Sequence, residues 1–574
     1  MQGWLASVLA TVALVGTAAA QAPPTPLIGP PSMRLERAPG MAPGPLPQER
    51  PSLERVERQR RESGISARPL PALDGESAGW NESEGGLGAA LWQGSRWAAV
   101  ERLLDLLPAA ATTPARLALA RRLVMSASVR PEATPAGAFA ERRMAALMAL
   151  GDAAAAATLG RRLTVERLPA AVGRLAAEAE MASGGRAEAC RAARRPEADA
   201  DDLFWRKLRI ACDALDIQYD RVVLGLDLLR EQGKDPGDAF TALVEAAVGE
   251  DKPATAAMPD VLSALLATSA GIPPAPGAQL PIVIAAMVAR AEKLKPADRL
   301  PHAERAAAVG LIDGALFTRL YVELPVDQKG LGAVPAVEAG AAGPAALLQQ
   351  ALLQMVPGLR LERLAAGWRR AVTTGAPFAY AQAASPLVAE ISPSADLMPY
   401  APAVIRIALA GGDVHTALRW TEAVGARMGD AMAAETYQGA VALLRLAMGD
   451  EGPEWNPTAA DRWATAMGGT QAPRTLVGLT LFAALGEAAG GDAWLGFPHA
   501  PSTPPPDASL LFALEAAARE RRLGEQTALA LTAMGGALVP HPLAASAAIK
   551  SLRFTDQAAA ARHIALEIAL AAGL

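Results

Sequence analysis

Five histidines, His302, His415, His499, His541 and His563, are the side chains here best suited to acid–base or metal chemistry near neutral pH, and they lie far apart in the chain. No H-E-x-x-H motif and no close His/Cys/Asp group joins them, so each reads as an ordinary surface or core histidine. The chain also lacks a G-x-S-x-G elbow, an S-x-x-K motif with its usual partners and a phosphate-cradling glycine loop. The acidic run Glu197, Asp199, Asp201, Asp202 offers carboxylates but not the glycine and distal glutamate of a calcium loop. It reads instead as helix capping, with Asp201 or Asp202 supplying the side-chain oxygen. No catalytic, cofactor-binding or metal-binding residue is therefore assigned. The remaining reactive pair is Cys190 and Cys212.

The stretch around these cysteines shows which elements must position them. Phe204, Leu208, Ala211 and Leu215 recur at helical spacing, Trp205 and Cys212 widen the apolar stripe, and Arg206, Lys207, Arg209 and Asp213 face away. A second helix is predicted from Val222, Leu226 and Leu229, and Gly233 stands where a left-handed residue closes a helix. Together they make an αα-hairpin. Each cysteine falls on a helix of adjacent hairpins, which brings their Cα atoms within bridging range. The compartment decides whether they bridge. Residues 1–20 (MQGWLASVLATVALVGTAAA) carry no charge, hold an apolar core short for a membrane span, and end in small residues. They read as a signal peptide cleaved between Ala20 and Gln21, with a retained anchor as the alternative because the first residues lack Lys or Arg. Gln at position 21 excludes a lipidated cysteine there. Export places Cys190 and Cys212 in an oxidising compartment, where a structural disulfide is expected. A metal pair has no neighbouring His, and a redox pair would be C-x-x-C.

Composition bounds the rest. The chain is 51% hydrophobic but only 4% aromatic, so its apolar content is largely Ala and Leu, which favours closely packed helices. A net charge of −5 with interleaved basic residues argues against a nucleic-acid partner. Residues 21–85 are rich in proline and poor in large apolar side chains, and read as a disordered extension. Within it, Glu49 to Arg61 is a mixed-charge run read as a solvated spacer, and Asn81-Glu82-Ser83 is read as an accidental glycosylation match. From residue 86 onward an apolar helix end, a Gly or Asp, and an Ala-rich second helix recur around Gly151, Gly184, Gly412, Gly449, Gly524 and Asp556. The small residue permits a tight turn, and Ala417, Ala528 and Ala560 permit close helix approach. The expected fold is all-α: an α-solenoid of degenerate tetratricopeptide-like hairpins over 86–497, with possible hinges near 271–281 and 330–344. A proline-rich linker at 498–507 and a C-terminal helical block at 508–574 complete it.

Two resemblances bear on function. The run from Gly184 through Cys190, Trp205, Cys212 and Leu228-Leu229-Arg230 to Phe240 resembles exported, Ala-rich helical-repeat proteins of alphaproteobacteria, some labelled antifreeze-glycopeptide-related. That family implies no catalytic residues. Ala111-Thr112-Thr113 is an isolated match to an ice-binding repeat, which argues against ice binding. Gln354-Met355-Val356-Pro357 resembles a stretch of the lytic transglycosylases, but no Glu-Ser precedes it at the right distance and Glu390-Ile391-Ser392 follows it. Trp80, Trp92, Trp97, Trp368, Trp420, Trp455, Trp463 and Trp494 are the aromatic candidates for recognition. Trp92 and Trp97 cannot share one helix face, so one of them is expected to be exposed. The expectation is a periplasmic scaffold or adaptor, not an enzyme, without cofactor or membrane span once processed, that binds an envelope protein, peptide or other envelope component along a concave surface. The alternatives are a peptidoglycan-associated enzyme or its regulator, and a stress-protective structural protein.

Overall fold

Helix starts in this chain are written locally, by short side chains that accept an N–H and by prolines that need none. Asp152, Asp202, Asp260, Asp313, Asp413 and Asn456 each accept a hydrogen bond from a first-turn backbone N–H. Pro114, Pro296, Pro357, Pro377, Pro457, Pro473 and Pro542 are the first residues of helices, where the missing N–H costs nothing. The computed structural model describes residues 75–163, 169–195, 202–249, 252–324, 343–427, 431–468, 472–489, 506–555 and 557–574, together with Trp494 and Phe497. Among the described residues all regular structure is helical, with isolated bridges and no strand. The segment 1–74, including the proposed cleavage site Ala20–Gln21, lies outside them. So do Glu197, Asp199, Asp201, His499, Asp556, most of 330–344 and most of 498–507.

The helices run in chain order. First come α1 (Trp97–Ala110), α2 (Pro114–Met125), α3 (Ala138–Ala149), α4 (Ala153–Arg162), α5 (Ala170–Ser183), α6 (Arg186–Ala193), α7 (Leu203–Leu215) and α8 (Tyr219–Glu231). Then follow α9 (Asp238–Val248), α10 (Val261–Ala270), α11 (Ile282–Arg290), α12 (Pro296–Ala308), α13 (Gly314–Glu323), α14 (Gly343–Leu353), α15 (Pro357–Thr373) and α16 (Pro377–Ala389). The last are α17 (Ala401–Ala410), α18 (Val414–Gly425), α19 (Ala431–Met448), α20 (Pro457–Ala466), α21 (Pro473–Leu485), α22 (Ala508–Arg519), α23 (Leu523–Met534), α24 (Pro542–Arg553) and α25 (Ala558–Ala571). Neighbours in sequence pack as pairs, most extensively α14 on α15, α4 on α5, α11 on α12 and α23 on α24. Gly151, Gly184 and Gly412 turn with positive φ, as the turn pattern requires. Gly524 does not. It sits inside α23 against Trp92, and Arg521, with φ of 56°, makes the turn instead.

Two features differ from the expectation. The described fold begins at Gly75, within the segment assigned to the proline-rich extension. Trp80 N donates to Met125 O at 2.6 Å, Ala127 N donates to Trp80 O at 2.8 Å, and the Arg143 guanidinium donates to the carbonyls of Glu76 and Ala78. Backbone bonds and one buried arginine hold this segment, so its low apolar content gave no sign of it. Second, the C-terminal block packs beyond its neighbours in the chain. α23 lies against α1 and α2, α25 lies against α2, α19 and α21, and Gly524 N donates to Leu91 O at 2.8 Å.

Candidate functional site

Six parts of the chain between Trp80 and Leu311 converge on a cleft of about 460 Å³. One wall is α2, through Arg121 and Met125; the floor is the turn Gly151–Asp152 and the first residues of α4; the far wall is Val283 and Arg290 of α11 with Leu311. The end of α5 supplies Ser183, and Trp80 is held at the rim by its bridge to Ser126. The tight floor has a steric cause. A Cβ on Gly151, whose φ is +83°, would meet Leu311 Cδ1 at 2.6 Å and Ile282 Cγ2 at 3.0 Å.

The polar groups are laid out in a row. Asp152 is buried, caps α4 by accepting from Ala155 N at 3.1 Å, and is ion-paired with Arg121. Arg290 Nη2 donates to Leu311 O at 2.5 Å and Nη1 to Ala286 O at 3.3 Å, which fixes the guanidinium on the opposite wall. Desolvation lowers the Arg290 pKa, opposed by the charges of Asp313 and Asp152, and the group stays cationic at neutral pH. Two arginines against one aspartate leave the cleft with a net positive charge beside an indole, a thioether and two hydroxyls. Such a lining can hold a carboxylate-bearing chain segment with an apolar side chain. A second, smaller cavity of about 280 Å³ lies between α17, α19 and Arg474, where Arg474 pairs with Glu435 at 3.2 Å.

The candidates from the sequence are placed as follows. Cys190 and Cys212 form a disulfide with their Cα atoms 5.8 Å apart, joining α6 to α7. Asp202 caps α7 by accepting from Phe204 N at 2.8 Å. Of the described histidines, His302 is buried, and desolvation with the nearby Arg305 charge lowers its pKa; His541 Nδ1 accepts from Leu543 N; His415 and His563 are exposed. No three His, Cys, Asp or Glu residues are grouped to hold a metal among the described residues. Glu390 is exposed and pairs with Arg360 at 2.8 Å, away from either cavity. Trp92 and Trp97 are both buried, at 2% and 9% exposure, against the expectation that one would face solvent. The helix begins at Trp97, so Trp92 lies in the preceding turn and packs under α23. Of the eight tryptophans considered, only Trp80 and Trp494 keep substantial exposed surface.

Arg121, Asp152 and Arg290 were not singled out from the sequence. Asp152 follows a turn glycine and caps α4, while the arginines sit among dozens of similar residues. No helix among the described residues is long and apolar enough to cross a membrane. Comparison of the chain with family models, with curated proteins and with solved structures finds no match in any of the three.

Proposed function

We propose that the chain is a periplasmic α-solenoid of degenerate, tetratricopeptide-like hairpins that works as a scaffold or adaptor, holding a segment of an envelope protein or peptide in the cleft at Trp80, Asp152 and Arg290. The observation that carries this reading is the cleft itself. It gathers residues of α2, α4, α5 and α11 into one concave, net-cationic site with an aromatic rim. Repeat arrays of helical hairpins commonly present such surfaces to extended partners. The disulfide between α6 and α7 fits an exported protein. The alternative, a peptidoglycan-cleaving enzyme or its regulator, calls for a carboxyl of raised pKa in a cleft. Glu304 and Glu567 have raised pKa values through burial and line neither cavity.

The test is site-specific photocrosslinking in cells. A photoreactive residue at Ser183, on the exposed wall of the cleft, should capture a reproducible envelope protein, and Arg290→Ala should abolish that capture. The same probe at the exposed Glu520, outside the cleft lining, should not capture it. Equal yields from Ser183 and Glu520, or none from either, would remove the scaffold reading and turn attention to assays of cell-wall cleavage.

A further inference from the structure

The turn between α14 and α15 carries an apolar tip that the cleft does not involve. Leu352, Leu353, Met355, Val356 and Leu359 all face solvent within eight residues, with Leu353 77% and Met355 92% exposed. Val322, at the end of α13, joins them, because Gln349 Nε2 donates to the carbonyls of Tyr321, Val322 and Leu324 and so pins α14 beside that end. The sequence from Gly343 to Leu359 contains no charged residue. The first charge beyond it, Arg360, is bound to Glu390 at 2.8 Å and is mostly buried.

We infer that this tip inserts into the interfacial layer of a phospholipid membrane and holds the protein on its surface. Three observations favour lipid over protein. The group contains no Trp, Tyr or Arg, the residues that dominate protein hot spots, and consists of flexible aliphatic and thioether side chains. Six apolar side chains, five at the turn and Val322 beside it, are far fewer than the roughly 20–30 residues a side of a standard interface, so a second copy of this chain would not be held. The turn from Gly343 to Leu359 carries no charge and Arg360 is held by Glu390, so among the described residues the exposed Glu323 beside Val322 is the one charge at the rim of the tip; each exposed Leu or Met gains from transfer out of water. The insertion is apolar, and so it is insensitive to headgroup charge and to salt.

Both cysteines are bonded to each other, so a single introduced cysteine is a unique labelling site. The full-length protein carrying Met355→Cys is labelled with an environment-sensitive nitrobenzoxadiazole probe and mixed with phosphatidylcholine vesicles or with phosphatidylglycerol vesicles. Emission from position 355 should rise and shift to the blue with both, and lipids carrying a quencher in the acyl chain should quench it. The same probe at Asp461→Cys, on the exposed face of α20, should not respond. Adding Leu353→Asp should raise the lipid concentration needed at the half-point by roughly tenfold or more. The proposal is overturned by an unchanged signal at 355, by an equal response at 461, or by blue-shifted emission before vesicles are added. That last result would mean that protein already covers the tip.

Discussion

Glu567 is the residue whose surroundings make the most definite demand on solution conditions. It lies on α25, buried against the start of α2, where its Oε1 accepts from Ala115 N at 2.8 Å and its Oε2 has no hydrogen-bond partner. Burial raises its pKa to about 7, and Thr113, Ala115 N and Arg116 only partly oppose the shift. The folded state therefore holds the proton more tightly than the unfolded chain, whose Glu titrates near 4.5. Stability from this group is fully present below about pH 4.5 and is lost as pH rises through about 7, by on the order of 3 kcal/mol. Glu567→Gln, which keeps the side chain neutral, should flatten the pH dependence of the denaturation midpoint between pH 5 and 8. It should also make the variant more stable than the parent at pH 8; a variant less stable than the parent there would show that the carboxylate form is the one the fold uses. The disulfide makes a second demand at this scale. Closing the loop between Cys190 and Cys212, 22 positions apart, stabilises by roughly 3 kcal/mol in the chain-entropy model. Cys190→Ser with Cys212→Ser should lower the urea midpoint accordingly, and no change would mean that packing of α6 on α7 alone determines that region.

Between elements, several helix pairs approach so closely that one position admits only glycine. Gly478 on α21 faces Trp463 on α20, and a methyl added there would fall 2.2 Å from Trp463 Cη2. Trp463 is fully buried and packs edge-on to Phe482 and Trp455, so it has no room to withdraw. Gly478→Ala should cost about 1–3 kcal/mol, seen as a lower thermal midpoint, and Trp463→Phe in the same chain should recover part of it. An additive loss in the double variant would mean that the two positions do not share the strain. Elements of this kind were legible in the sequence when their cause was local. The α7–α8 hairpin followed from the spacing of Phe204, Leu208, Val222 and Leu229, its start from the pair Asp201 and Asp202, of which Asp202 is the cap, and its end from Gly233, whose φ is +66°. The segment from Gly75 to Trp80 was not, because Arg143 and backbone carbonyls hold it and neither leaves a periodic trace. The cleft was not legible either. Its arginines come from α2 and α11, 169 positions apart by residue number (Arg121 and Arg290), and only the fold brings them to opposite walls of one cleft.

For the whole molecule, the decisive feature is that α22–α25 pack on the first helices as well as on α19 and α21. In a quasi-one-dimensional array each unit touches only its neighbours, and loss of the last unit is felt only by the one before it. Here the last block is bound at several widely separated places. Arg116 on α2 donates from Nη1 to Gly535 O at 3.1 Å and Ala537 O at 2.9 Å, burying its guanidinium between α2 and the α23–α24 turn. Arg445 and Arg562 share Glu487, at 2.8 Å and 3.2 Å, which ties α19 and α25 to the end of α21. Removing one partner from such a buried group leaves the others uncompensated. Arg116→Met should therefore weaken two regions more than 400 positions apart. In hydrogen–deuterium exchange, amides of α1, α2, α23 and α25 should lose protection together, while α7–α10, which do not pack extensively on that block, should keep theirs. Loss confined to α2 would show that the block adds nothing to the first helices. Loss spread evenly over every helix would show that the chain unfolds as one cooperative body. The joint but local loss is the outcome that these contacts require, because the bonds of Arg116 cross between the two ends and reach no helix between them.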